Sequence, residues 1–421
     1  MVTGKMRTFR TSLLIFPLIC SVLMNTPTAT SVQYLPQLFV LSRTDDGYSL
    51  RVTSWDDDPS SEIAVFPRSS QTAFVEMMPA YEIESARAFL VRAGAALETV
   101  ESLMQSYPNI TVTLLATSPD GKILAAAVRY ESCAYSQRTC FGRTDVVLLS
   151  TTEHRTVFTL GSTGNPSIVE FEGIFTSNVR VDAAAWLAES DTLLIAASSE
   201  ISRQNARGSI LVTVPLHEPR PPQGIAWALN WTVSVQDKLL VTVEDVGRSD
   251  TVIVREVTPD GQLRTMRLIP LGDTVVDRQL RLSVMGKQVL IWTIGNRTSI
   301  TSVGGLIALD IESDVPDFTP VYSHTYVSRI VPLSQLDAAL VELTDGHVVQ
   351  ATLSNRVFSL VDLELPQVAD WWLSPDHRSV LLQFANDAGF AVYDVNSGAV
   401  EMVDERSRLS IDSTTTLEIL W

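Results

Sequence analysis

Two cysteines and a run of carboxylates are the residues best placed to do chemistry. Cys133 and Cys140 are separated by six residues of largely polar, turn-forming type. A metal centre of the structural zinc kind takes four ligands, and the nearest histidine in sequence is His154. In an oxidising compartment a lone close pair of this kind forms a disulfide. Asp56, Asp57 and Asp58 make the densest acidic run, with Asp45 and Asp46 a strand earlier. Calcium takes oxygen ligands, so this run is the one place where the sequence offers a cofactor. Consecutive residues of a strand or turn point in different directions, however, and the alternating Asp-x-Asp-x-Asp-Gly spacing is missing, which favours a solvated acidic loop. The five histidines, His154, His217, His324, His347 and His377, are scattered singly. A lone histidine in a strand or turn ordinarily bonds to water or backbone.

The sequence contains no Gly-x-Ser-x-Gly elbow, no Gly-rich phosphate loop ending in Lys-Ser or Lys-Thr, and no His-Glu-x-x-His. With 48 acidic and 31 basic residues the formal net charge is −17, a field that repels polyphosphate and argues against nucleic acid as a partner. Hydrophobic residues make up 45% of the chain, enough for a large core.

Lys5, Arg7 and Arg10 precede an apolar stretch from Leu13 to Met24, followed by small residues around Ala29-Thr30-Ser31. That order reads as a secretory signal peptide over residues 1–31, with 32–421 as the mature, extracytoplasmic domain. The apolar run is shorter than the roughly 20 residues that cross a bilayer, which favours cleavage over a retained anchor that would hold the chain in a membrane-bound complex. No other stretch is long and apolar enough to span a membrane, so none is expected in the mature chain.

What must position any site is a repeat. Leu114-Leu115-Ala116-Thr117-Ser118-Pro119-Asp120-Gly121-Lys122-Ile123-Leu124-Ala125-Ala126-Ala127 is an apolar strand, a tight turn and a second apolar strand. Its echo is Trp371-Trp372-Leu373-Ser374-Pro375-Asp376-His377-Arg378-Ser379-Val380-Leu381-Leu382, with weaker copies around Trp186, Val233, Leu282 and Ile330. Later copies fall about 40 to 50 residues apart, the period of a four-stranded blade. Third strands recur as Phe390-Ala391-Val392-Tyr393-Asp394 and Leu306-Ile307-Ala308-Leu309-Asp310. The expected fold is all-β, a single propeller of about seven four-stranded blades. Residues 36–67 lack a first strand and 414–421 look like one without successors, so the two ends together should close the ring.

These turns and strand ends resemble the WD40-like and TolB-like propeller families, whose blades carry a Ser-Pro-Asp-Gly turn and an aromatic-Asp strand end. The resemblance implies the fold; function lives in sites grafted on it. That fold, together with the missing catalytic motifs, leads to the expectation of a protein- or ligand-binding scaffold, or alternatively a hydrolase or lyase whose site gathers single side chains from several blades at the channel mouth.

One segment breaks the β pattern. From about Ile83 to Ser106 apolar residues fall at helical spacing, Ala86, Phe89, Leu90, Ala93, Leu97, Val100, Leu103 and Met104, until Pro108. This helical insertion should pack on a face or rim of the propeller, or else bind a partner or cap the channel. Tryptophans near strand starts (Trp186, Trp227, Trp231, Trp292, Trp371, Trp372) should fill the spaces between blades. Asn109, Asn230 and Asn296 stand in Asn-x-Ser/Thr sequons that matter only in a glycosylating, eukaryotic host.

Overall fold

The computed structural model describes residues 37–53, 60–92, 94–134, 140–161, 180–187, 192–198, 208–217, 222–234, 236–246, 249–259, 261–271, 280–293, 306–313, 318–322, 327–333, 338–344, 346–354, 357–375, 378–385, 389–403 and 416–420. The stretch read as a signal peptide lies outside them. Described strands form seven four-stranded antiparallel sheets.

The first sheet receives β1 (Leu38–Arg43), β2 (Gly47–Thr53) and β3 (Ser61–Pro67). Blade 2 is β4 (Asn109–Thr117), β5 (Leu124–Cys133), β6 (Cys140–Leu149) and β7 (His154–Gly161), and blade 3 is β8 (Arg180–Trp186), β9 (Thr192–Ser198), β10 (Ser209–Pro215) and β11 (Gln223–Ala228). Blade 4 follows as β12 (Asn230–Ser234), β13 (Leu239–Val246), β14 (Ser249–Val257) and β15 (Leu263–Pro270), and blade 5 as β16 (Leu280–Met285), β17 (Gln288–Thr293), β18 (Leu306–Asp310) and β19 (Phe318–Tyr322). Blade 6 is β20 (Val327–Leu333), β21 (Ala338–Leu343), β22 (Val348–Ser354) and β23 (Val357–Asp362); blade 7 is β24 (Val368–Leu373), β25 (Ser379–Phe384), β26 (Phe390–Asp394) and β27 (Val400–Val403). The last strand, β28 (Thr416–Leu420), returns to pair with β1, Leu41 opposite Glu418 and Val40 opposite Ile419. It supplies blade 1 with its innermost strand, as the two incomplete ends of the sequence require.

Period-2 alternation makes these sheets a ring. In β21, Ala339, Val341 and Leu343 pack toward blade 5 while Ala338 and Leu340 pack toward blade 7. Seven such clusters each join two neighbouring blades, the last joining Leu381 and Phe390 of blade 7 to Leu38, Val40 and Ile419 of blade 1. Strands covered on both faces read as continuous apolar runs. Every residue of β9 is buried. The outer strands are exposed on one side, as at Met266 and Leu268 of β15.

The Ser-Pro-Asp turn owes its fixed form to a buried hydroxyl. Ser118 donates to Asp120 Oδ1 at 2.6 Å and accepts from the Ile123 amide at 3.0 Å, while Gly121 takes a φ of 70° that favours glycine. Ser374 plays the same part in blade 7, accepting from the Ser379 amide at 2.9 Å. Ser234 does so in blade 4, donating to Asp237 Oδ2 at 2.5 Å.

The helical insertion is larger than the periodicity indicates and is broken into three helices. It comprises α1 (Phe74–Met77), α2 (Ala80–Arg92) and α3 (Leu97–Met104). Gly94, at φ 94°, ends the long helix: its amide bonds Val91 O at 3.0 Å and the Ala95 amide bonds Leu90 O at 3.0 Å. This is a Schellman ending, with Leu90 and Ala95 in one apolar cluster.

Candidate functional site

In each blade the innermost strand enters from the same end of the ring, because every blade has four antiparallel strands and the chain then crosses to the next. The insertion connects β3 to β4 at that end, and the β5–β6 hairpin points its tip there too. Three features of the chain therefore share one face: the starts of the inner strands, the helical insertion and the cysteine pair.

At the inner-strand starts a β-bulge recurs. The pairing register shifts between Val181 and Ala183 in β8, between Val327 and Arg329 in β20, between Val368 and Asp370 in β24, and opposite Leu41 and Ser42 in β28. A bulge re-aims the side chain that follows it. In blade 3 that residue is Ala183; in the consecutive blades 6, 7 and 1 it is Arg329, Asp370 and Glu418.

Arg329 reaches across the blade boundary to pair with Asp370. Its Nε also lies 3.8 Å from Glu342 Oε2 on β21, and its guanidinium sits 5.9 Å from the centre of the Trp371 ring. Asp370 Oδ1 accepts from the Trp371 amide at 2.9 Å. Burial pushes the Glu342 carboxyl above its usual range; Arg329 opposes the shift and Asp370 adds to it. Glu418 is raised by burial as well, opposed by the Leu114 amide, which donates to Glu418 Oε2 at 2.6 Å and so ties blade 1 to blade 2. A guanidinium held between two carboxylates, one of them raised by burial, is an arrangement able to hold a polar ligand or move a proton.

The helical insertion forms a second element of this face. Phe74, Met78, Ile83, Ala86, Leu90, Val100, Leu103 and Met104 close on Phe141 of β6, with Phe74 edge-on to Phe141 at 4.6 Å. Arg143 of β6 donates to Met77 O and pairs with Asp145 at 2.8 Å, and Ser106 Oγ donates to Ser132 Oγ at 2.6 Å. The base is closed by the Ser70 amide on Pro108 O at 2.8 Å. Val75, Tyr81, Val91, Leu97 and Tyr107 remain exposed.

Cys133 and Cys140 face each other across β5 and β6 and form the expected disulfide. Asp56, Asp57, Asp58, His324, His377 and Asn296 lie outside the described residues. Asp45 and Asp46 occupy the exposed turn that starts β2, whereas the aspartate triplet follows its end. The described histidines do not converge: His154 meets Phe66 edge-on at 6.4 Å, His347 pairs with Asp362 at 3.3 Å, and His217 is on blade 3's side of the ring. Asn109 is exposed, while half-buried Asn230 accepts the Trp231 amide at 2.7 Å. The tryptophans fill blade boundaries as expected, Trp186 donating to Ala116 O at 3.5 Å. Arg329, Glu342, Asp370 and Glu418 escaped the sequence reading; aligning the strand starts Val327-Ser328-Arg329, Val368-Ala369-Asp370 and Thr416-Leu417-Glu418 would have found three of the four.

Fold and ring closure define the chain as a seven-bladed β-propeller. No family model and no curated protein matches it. Among solved structures it is similar to a 6-phosphogluconolactonase-like protein of Bacteroides uniformis (11% identity, 89% of this chain and 96% of that one, TM-score 0.45). It is similar also to AztD of Citrobacter koseri (9%, 92% and 98%, 0.42) and to an oligogalacturonate lyase in complex with manganese (11%, 89% and 86%, 0.41). None of these likenesses carries a ligand or an activity over to this chain. Among the described residues no helix is long and apolar enough to cross a membrane.

Proposed function

We propose that this chain is an exported propeller of the WD40-like or TolB-like kind that serves as a binding module, with the face bearing the helical insertion as its contact surface. One observation carries the reading: the insertion is anchored at its base to blade 2 yet leaves Val75, Tyr81, Leu97 and Tyr107 exposed at its surface. Export is supported by the order of charge and hydrophobicity in residues 1–31 and by a disulfide, which persists in oxidising compartments. The test is site-specific photo-crosslinking in the native host from Tyr81 or Leu97, with Val65 of outer strand β3 as the control. Adducts to one partner from the first two positions and none from Val65 are expected. Equal labelling, or none, removes the reading.

A second reading, a hydrolase or lyase acting at the channel mouth, is favoured by Arg329 standing between Glu342 and Asp370. It requires that turnover of a lactone or oligosaccharide vanish in Glu342→Gln and survive in Glu401→Gln on the outer strand of blade 7.

A further inference from the structure

The hairpin tip of blade 2 holds more than a disulfide. Cys133 and Cys140 occupy directly opposed positions with Cα atoms 4.0 Å apart, so their side chains leave the ladder on the same side. Two residues earlier on β5, Glu131 shares that side, since alternate residues of a strand face the same way. Its cross-strand partner is Gly142, which has no side chain to fill the space opposite. The two sulfurs and a Glu131 carboxylate oxygen all lie within 4.8 Å of one another. Two thiolates about 3.8 Å apart satisfy tetrahedral zinc with bonds of about 2.3 Å, and a carboxylate oxygen binds at about 2.0–2.2 Å. Sulfur ligands select zinc over calcium or magnesium.

We propose that reduction of the Cys133–Cys140 bond converts this tip into a zinc site with Cys133, Cys140 and Glu131 as ligands and a water in the fourth position. The reductant is a dithiol. Its thiolate attacks the sulfur of Cys133, the more exposed of the pair, the S–S bond breaks, and Cys140 leaves as a thiolate. The second thiol of the reductant then displaces Cys133, so two electrons and two protons pass to the protein and the reductant ends as its own disulfide. Zinc replaces the two thiol protons, which are released. Arg129, paired with Glu131, offsets the excess negative charge of two thiolates and a carboxylate. Ser132 and Phe141, neighbours of the two cysteines, hold the helical insertion. The metal therefore keeps the tip clamped when the covalent bond is gone.

The test is a cobalt titration of the full chain carrying Cys20→Ser, reduced by a phosphine without oxygen. One cobalt per chain is expected, with thiolate-to-metal charge-transfer absorption that zinc abolishes by competition. Glu131→Gln should weaken cobalt binding at least tenfold while still forming the disulfide in air, and Cys133→Ser with Cys140→Ser should show no charge-transfer band. Absence of the band in the reduced chain overturns the proposal, as does a Glu131→Gln chain that binds cobalt as tightly as the parent. Loss of the β-sheet circular dichroism on reduction alone also overturns it, because the site needs the paired hairpin.

Discussion

Ring closure rests on five residues, and removing them is the most direct test of the architecture. A chain ending at Ser413 lacks all of β28. Ile419 is 7% exposed and fills the boundary between blades 7 and 1, while Leu420 packs on the blade 1 to blade 2 cluster. Burial of the isoleucine is worth about 1.5–3 kcal/mol and the half-buried leucine about 1 kcal/mol. Each ladder bond to β1, and the Leu114 amide on Glu418, adds about 0.5–1.5 kcal/mol. The truncation should therefore cost about 5 kcal/mol, a third or more of the 5–15 kcal/mol that holds a typical domain. Melting followed by tryptophan fluorescence should fall by roughly 5–10 °C in one cooperative step. A synthetic peptide of residues 414–421 added to the truncated chain should recover part of the loss. Ile419→Ala alone should cost about 2–4 kcal/mol, whereas Val400→Ala on exposed outer strand β27 should stay within about 0.5 kcal/mol. Unchanged melting after truncation would refute closure by this strand.

Glu418 has a folded-state pKa raised by burial, so its contribution to stability is fully present below the unfolded value and is lost as pH rises through the folded one. Glu418→Gln should accordingly gain on the parent in thermal melts as pH increases above the ordinary glutamate range, and a gap that widens toward acid would contradict the assignment. Arg329→Ala should destabilise by about 1 kcal/mol, since its partners are partly exposed, and push the Glu342 carboxyl further up; urea melts and carboxyl NMR titration report the two effects separately. Phe141→Ala should release the helical insertion by about 3 kcal/mol locally, accelerating hydrogen exchange over residues 74–104 while the strands of blades 4 to 6 keep their protection.

The inner hairpins were legible because each is two apolar runs around a turn with its own hydrogen-bond chemistry, as at Ser118 and Ser374. Closure was legible because Thr416–Leu420 and Leu38–Arg43 are complementary fragments of one repeat. The insertion was visible through its helical spacing, but α1 is a single turn too short to carry a period, and the ending that Gly94 makes with its positive φ does not interrupt the apolar spacing. The charged residues at the inner-strand starts were not legible. Arg329, Asp370 and Glu418 come from three blades, and each is aimed by a bulge that shifts register by one residue, which the alternation of strand residues cannot reveal. Glu131 was missed beside the cysteines although it stands two residues before Cys133: that spacing puts the two on one side only once the segment is known to be a strand, and the space for its carboxylate is left by Gly142 opposite.

Closure by β28 also sets a timetable for synthesis. The edge of β1 that β28 covers emerges from the ribosome before every other described strand, and its partner emerges after all of them. At about 5–20 residues per second that edge waits roughly 20–80 s without its neighbour. Throughout that interval six sheets can form, yet none of them can supply the missing strand in the right register. An unpaired β1 in that window is open to pairing with a second nascent chain, so the yield of folded protein should depend on how well the edge is shielded until the last strand arrives.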